Sequence, residues 1–189
     1  EARDWNHAQP EVTDLKGRIV VFALPNGVDW WRVFLGLISA GAVPAPLDPG
    51  ESIDSLRRTA QSIGAAWIWH TGKLEAVETT AHRRRNLTHA LLKITSGSTG
   101  TPKVFRFTAE QMLADGRQIC SSMGITPTDV NLAVIPLGHS YGLGNLVMPL
   151  IEQGTAMVCT SSALPQPLAN VCRKWRPYVF PAVPALLRH

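Results

Sequence analysis

Short β-branched runs that alternate with longer runs of helical periodicity restrict this chain to one fold class, an α/β protein of mostly parallel sheets with flanking helices. Arg18-Ile19-Val20-Val21-Phe22-Ala23-Leu24 reads as a buried strand, and Pro25-Asn26-Gly27 ends it. Asn26 is placed to cap the helix that follows, 28–40, with Asp29 in the first turn where the helix dipole favours an acid. That helix carries Trp30, Trp31, Val33, Phe34, Leu35, Leu37 and Ile38, apolar on nearly every side, which predicts deep burial. A short strand follows at 43–47, a helix at 53–63 and a strand at 65–69, where alternation puts the Trp67 and Trp69 indoles on one core-facing side. Periodicity fades from 71 to 89. It resumes with strands at 91–95 and 104–107, a helix at 108–123, a strand at 131–137, a helix at 140–151, a strand at 155–159 and a helix at 164–175.

With 189 residues, 45% of them hydrophobic, the chain can bury its own core, and disorder is excluded. Charged residues make up 17%, below the roughly 25% of an average soluble domain, which points to surface that something else covers and predicts self-association of this piece alone. The net charge of +4 allows an anionic ligand without demanding nucleic acid. The run His82-Arg83-Arg84-Arg85-Asn86 lacks aromatic company and reads as a solvated loop, so no nucleic acid is expected. Cys120, Cys159 and Cys172 form no C-x-x-C pair, hence no zinc site or disulfide framework is expected, and the setting is reducing and cytoplasmic. The polar start is unlike a secretory signal. The most apolar stretch, 33–47, is broken by Gly41, Pro44 and Pro46 and is short of the roughly 20 residues of a membrane span. At the far end Tyr178-Val179-Phe180 reads as a strand and Val183-Pro184 opens a helix with only Ala185 to His189 left to form it, too short to stand alone. The expectation is an incomplete amino-terminal domain, with a first α/β segment at 1–89 and a second at 90–189.

The most specific chemistry lies in Lys93-Ile94-Thr95-Ser96-Gly97-Ser98-Thr99-Gly100-Thr101-Pro102-Lys103. Glycines let backbone N–H groups approach an anion that a Cβ would hold off. The hydroxyls of Thr95, Ser96, Ser98 and Thr99 add donors, each worth roughly 1.5–3 kcal/mol toward a charged partner, and Lys103 supplies positive charge. The Walker pattern is absent, because Gly97 and Gly100 stand too close together and Pro102 precedes the lysine.

Thr95 to Lys103 resembles the AMP-binding signature of the adenylate-forming enzymes, which include acyl-CoA synthetases, peptide-synthetase adenylation domains and luciferases. Two further stretches are similar to the family's in the same order: Leu24-Pro25-Asn26 with Gly41-Ala42-Val43-Pro44-Ala45-Pro46-Leu47-Asp48-Pro49, and Ile135-Pro136-Leu137-Gly138-His139-Ser140-Tyr141-Gly142, a Pro-x-x-His-x-x-Gly block. The resemblance implies activation of a carboxylate by ATP to an acyl-adenylate, with release of pyrophosphate and transfer to a thiol of coenzyme A or carrier-bound pantetheine. It places the β and γ phosphates on Thr95, Ser96, Gly97, Ser98, Thr99, Gly100 and Lys103, with Mg²⁺ carried by the nucleotide and no metal site on the chain. It puts His139 beside the substrate carboxylate and gives Tyr141 and Gly142 to the acyl pocket. The family's adenine, ribose and metal residues and its catalytic carboxyl-terminal lysine find no counterpart in this chain, so turnover by this piece alone is not expected.

Two other readings compete. Gly138-His139-Ser140-Tyr141-Gly142 satisfies the G-x-S-x-G nucleophile elbow of α/β-hydrolases. After Ser140, however, there is no aspartate, Glu152 follows too soon, and the only histidine is His189. The other is a degenerate adenylation domain kept as a scaffold, against which the intact loop argues.

Overall fold

The computed structural model describes residues 15–78, 88–95, 103–160, 164–177 and 179–184. The basic run at 82–86, the loop residues 96–102, Tyr178 and the terminal 185–189 lie outside them. By contact the chain divides into two compact units, one holding the residues through Leu24 and Val28–Ala109, the other Pro25–Gly27 and Glu110 onward. The contact boundary follows Ala109, so the strands flanking 96–102 pack with the first unit, whereas the sequence reading opened its second segment at residue 90.

In the first unit β1 (Ile19–Ala23), β2 (Val43–Leu47), β3 (Trp67–His70) and β4 (Lys73–Ala76) form one sheet in the order β2-β1-β3-β4. β1 pairs in parallel with both β2 and β3. Prolines at 44 and 46 are compatible with β2 because it is a sheet edge and the intervening residues face β1. Val43 N donates to Arg18 O at 2.8 Å, so each N–H that proline lacks is on the side away from the ladder. Helix α1 (Val28–Ser39) buries Trp30, Val33, Phe34 and Leu37, the i, i+3, i+4, i+7 stripe of a one-sided helix. Val28, Leu35 and Ile38 are exposed, which corrects the expectation of burial all round. Helix α2 (Ile53–Ile63) starts at Ser52, whose side chain accepts from Ser55 N, and ends at Gly64 in the left-handed region (φ 68°), the two caps its ends require.

β4 escaped the sequence reading because Lys73-Leu74-Glu75-Ala76 shows neither β-branching nor apolar alternation. It forms because Thr71 (φ 49°) and Gly72 (φ 81°) make the two-residue turn of positive φ that matches the twist of an antiparallel pair, and His70 opposes Lys73. Ile68 faces the core while Trp67 and Trp69 are only half-buried, so this indole pair is not core as the alternation suggested. A further antiparallel pair, β5 (Leu91–Thr95) and β6 (Lys103–Phe107), packs with this unit. Leu92 joins the core of Val21, Val43, Ala45 and Ile68, with Ile94 and Val104 packed against it.

In the second unit α3 (Ala109–Met123) precedes β7 (Val130–Ala133), which pairs in parallel with β8 (Ala156–Cys159). The strand expected through residue 137 thus stops at Ala133. The one expected at 178–180 is reduced to a parallel bridge between Val179 and Asn131, with Leu132 N donating to Val179 O at 2.8 Å. Between β7 and β8 a turn leads into a continuous helical run over 140–153: α4 (Ser140–Gly142), a π-helical turn (Leu143–Val147) and α5 (Met148–Gln153). A Cβ on Gly116 of α3 would lie 3.2 Å from Met148 Cβ, and one on Gly144 3.3 Å from Ile119 Cδ1, so these helices meet at glycines. α6 (Pro165–Trp175) closes the described elements.

The aromatic core of the first unit is a stack: Trp30 and Phe34 rings lie 4.8 Å apart at 23°, and Phe22 sits 5.7 Å from Trp30. Trp30 is fully buried. Trp30→Ala is expected to lower unfolding free energy by about 3–5 kcal/mol, read as a shift in urea midpoint with unchanged slope.

Candidate functional site

His139 is presented by a turn that begins where β7 ends. Pro136 O accepts His139 N at 3.0 Å, which closes a tight turn, and His139 then becomes the N-cap of α4 with extended backbone (φ −75°, ψ 147°). Its Nδ1 accepts from Tyr141 N at 3.3 Å. An imidazole nitrogen that accepts from a backbone amide carries no proton, so the neutral ring keeps its hydrogen on Nε2. The side chain is exposed. It therefore offers a hydrogen-bond donor outward, suited to a carboxylate or an acyl-phosphate oxygen.

Gly142, the other residue given to the acyl pocket, is packed against backbone. It is buried, and a Cβ there would stand 2.1 Å from Pro136 O and 2.9 Å from Pro136 C. Its job is to let α4 lie against the turn that carries His139. Tyr141 is half-buried, with its carbonyl accepting from Asn145 Nδ2 at 3.2 Å. Ser140 opens α4 without the positive φ of a strained elbow, since only Thr71 and Arg176 adopt it among described non-glycine residues. The adjacent His139 ring has its Nδ1 engaged with Tyr141.

Sequence reasoning missed the residue that organises this turn. Asn26 does not cap α1. Its Nδ2 donates to Ala133 O (3.0 Å) and Ile135 O (2.9 Å), and its Oδ1 accepts from Leu137 N (2.8 Å). Buried backbone groups left behind by the ended strand compete better for an amide than the solvent-accessible N–H groups of a helix start. The only sequence signal was that Asn26 fell within a stretch similar to the family's early block.

The described ends of the Ser/Gly/Thr loop lie in the first unit. Thr95 and Lys103 are directly opposed across the β5–β6 pair, and Lys93 opposes Phe105 on the same face. Lys103 is exposed, while Lys93 Nζ lies 4.8 Å from the Phe107 ring centre. The pairing sets a hydroxyl and an ammonium at the two ends of the loop; Ser96, Gly97, Ser98, Thr99 and Gly100 are outside the described residues. Among the described residues no group of three or more His, Cys, Asp or Glu side chains is gathered as metal ligands, and no helix is long and apolar enough to cross a membrane. Burial pushes the Cys120 thiol up, with the Glu152 carboxylate adding to it, and burial pushes Cys159 up as well, so neither is an activated nucleophile.

Mixed α/β units of this kind place the chain in a broad structural class, and comparison narrows it. The AMP-binding enzyme family matches residues 70–189, and the chain belongs to that family. It is 25% identical to a 4-coumarate–CoA ligase-like protein of Arabidopsis thaliana, over 91% of this chain and 38% of that protein. It is 26% identical to a 3,4-dihydroxybenzoate–[aryl-carrier protein] ligase of Bacillus anthracis, over 74% of this chain and 33% of that one. The chain thus spans little more than a third of these relatives. Its fold matches o-succinylbenzoate CoA synthetase of Bacillus subtilis, solved with an acyl-adenylate intermediate, with a TM-score of 0.78 at 19% identity, covering 98% of this chain and 53% of that one.

Gly142→Ala forces a methyl into the Pro136 carbonyl, and backbone on both sides must move. Its expected cost is about 1–3 kcal/mol or more, measured by denaturant unfolding.

Proposed function

We propose that the protein containing this chain is an AMP-forming acid–thiol ligase. A carboxylate oxygen attacks the α-phosphorus of ATP, the bond to the bridging oxygen breaks, and pyrophosphate leaves with the electron pair. The sulfur of coenzyme A or of carrier-bound pantetheine then attacks the acyl carbon, and AMP departs with the electrons of the acyl–oxygen bond. The relatives include a ligase of each acceptor type.

The opposition of Thr95 and Lys103 across β5 and β6 carries the reading. In it, Thr95, Ser96, Ser98 and Thr99 donate hydroxyls, and Gly97 and Gly100 donate backbone N–H groups, to the β and γ phosphates. Lys103 offsets the charge that grows on the leaving pyrophosphate. Mg²⁺ bound to the nucleotide supplies further charge neutralisation. His139 donates from Nε2 to the carboxylate or acyl-adenylate oxygen and Tyr141 stands beside it, while Gly142 acts through packing alone. The small-molecule acid comes from the carboxylate class. We further propose that this chain is the amino-terminal part of the ligase and works in the cytoplasm, with the adenine-binding and ribose-binding residues supplied by sequence outside it.

The test is exchange of labelled pyrophosphate into ATP by the full-length protein across a panel of aryl and alkyl acids. Lys103→Ala is expected to slow exchange by about 100-fold or more, the scale seen when one preorganised charge-stabilising donor is removed. Unchanged exchange in that variant would remove the loop from the mechanism. Nucleotide binding without exchange on any acid would favour the scaffold reading over the ligase.

A further inference from the structure

We infer that Asn26 is a positioning residue for His139. It acts through the backbone of residues 133–137 and touches no reacting atom. This rests on the proposed role of His139 toward the substrate carboxylate.

All three polar capacities of the Asn26 amide toward this turn are used, two N–H donors and one carbonyl acceptor. The groups it meets are those the sheet cannot serve. β7 ends at Ala133, Val134 N reaches only back to Leu132 O at 3.2 Å, and Pro136 has no N–H to give. Ala133 O has a second, longer donor in Thr160 N at 3.4 Å, but among the described residues no other backbone donor reaches Ile135 O. Ile135 and Leu137 are buried, so water does not substitute for the amide. These two residues flank Pro136, and Pro136 O is the acceptor of His139 N and the atom against which Gly142 is pressed. Asn26 therefore clamps the peptide on either side of the carbonyl from which the His139 pose is built. The Nδ1 contact with Tyr141 N, and hence the outward Nε2–H, depends on that pose.

The test has two arms. In this chain with ¹⁵N-labelled histidine, Asn26→Asp keeps the acceptor for Leu137 N but sets an oxygen against two carbonyl oxygens. The expected result is a shift of the His139 ring nitrogens toward an exchanging mixture of tautomers, with His70 unchanged as an internal reference. In the full-length protein, Asn26→Asp is expected to lower kcat for pyrophosphate exchange toward about 100-fold, as small misplacements of reacting groups do, with KM for ATP unchanged. Combined with His139→Ala, it should cost no more than His139→Ala alone. Thermal melting verifies folding, and Asn26→Ser, which retains one donor, replaces Asn26→Asp if the latter melts below the assay temperature. Unmoved His139 signals, multiplying losses in the double variant, or a parallel rise in the KM for ATP would each overturn the inference. Wild-type exchange by His139→Ala would instead refute the role given to His139, and the ring signals would then decide the positioning by themselves.

Discussion

A strand that ends inside its own unit still has backbone groups to satisfy, and that requirement governs the part of this chain that displays His139. Ala133 at the last ladder pair of β7, and Ile135 and Leu137 past it, are all buried. Each amide group left without a partner there would cost about 1–3 kcal/mol, a sizeable share of the 5–15 kcal/mol by which domains are stable. The partner comes from Asn26, 107 to 111 residues earlier. Pro25–Gly27 accordingly belong to the second unit although both neighbouring stretches belong to the first. The turn that carries His139 is thus completed by a segment that sequence distance would not associate with it.

A comparable dependence of chemistry on packing operates at the β5–β6 pair. Leu92, Ile94 and Val104 meet the core from one face of this pair, which leaves Thr95 and Lys103 on the other. A register slip of one residue would send Thr95 inward and expose Ile94. The apolar residues therefore set the direction of the loop's two ends, although they contact no ligand in the proposed mechanism. The prolines of β2 work to the same end by limiting that strand to pairing through its β1 side, so the sheet order has little freedom.

The elements that were legible in the sequence are those with strong local periodicity. α2 at Ile53–Ile63, β2 at Val43–Leu47 and β5 at Leu91–Thr95 lie where the apolar pattern puts them. Elsewhere the pattern was ambiguous or its cause was distant. The apolar run after β7 continues through Ile135 and Leu137, so periodicity prolonged the strand, whereas the chain turns to bring His139 into its cap. β4 is set by the turn at Thr71 and Gly72 and has no pattern of its own. Trp67 and Trp69 were placed in the core by alternation, which finds shared faces but cannot say which face is covered. The Ser/Gly/Thr loop and the histidine block stand out in the sequence as motifs; Asn26 stands out as part of a motif but not in its structural role, because a hydrogen bond across more than a hundred residues leaves no local trace.

The Pro-x-x-His-x-x-Gly spacing can be understood as one folded object. Two residues separate Pro136 from His139 because the proline carbonyl accepts the histidine N–H in a tight turn. Two more separate His139 from Gly142 because one helical turn, begun by the histidine as its own cap, brings residue 142 back onto the same carbonyl at a distance only glycine permits. Proline at 136 suits this arrangement, since the position offers no partner for an N–H while its carbonyl is met from two sides. Of the three spaced residues, two are thereby committed to backbone geometry. His139 is the one of the three that is exposed at the surface, and the turn and the helix start on either side of it fix its backbone and hold its Nδ1 against Tyr141 N.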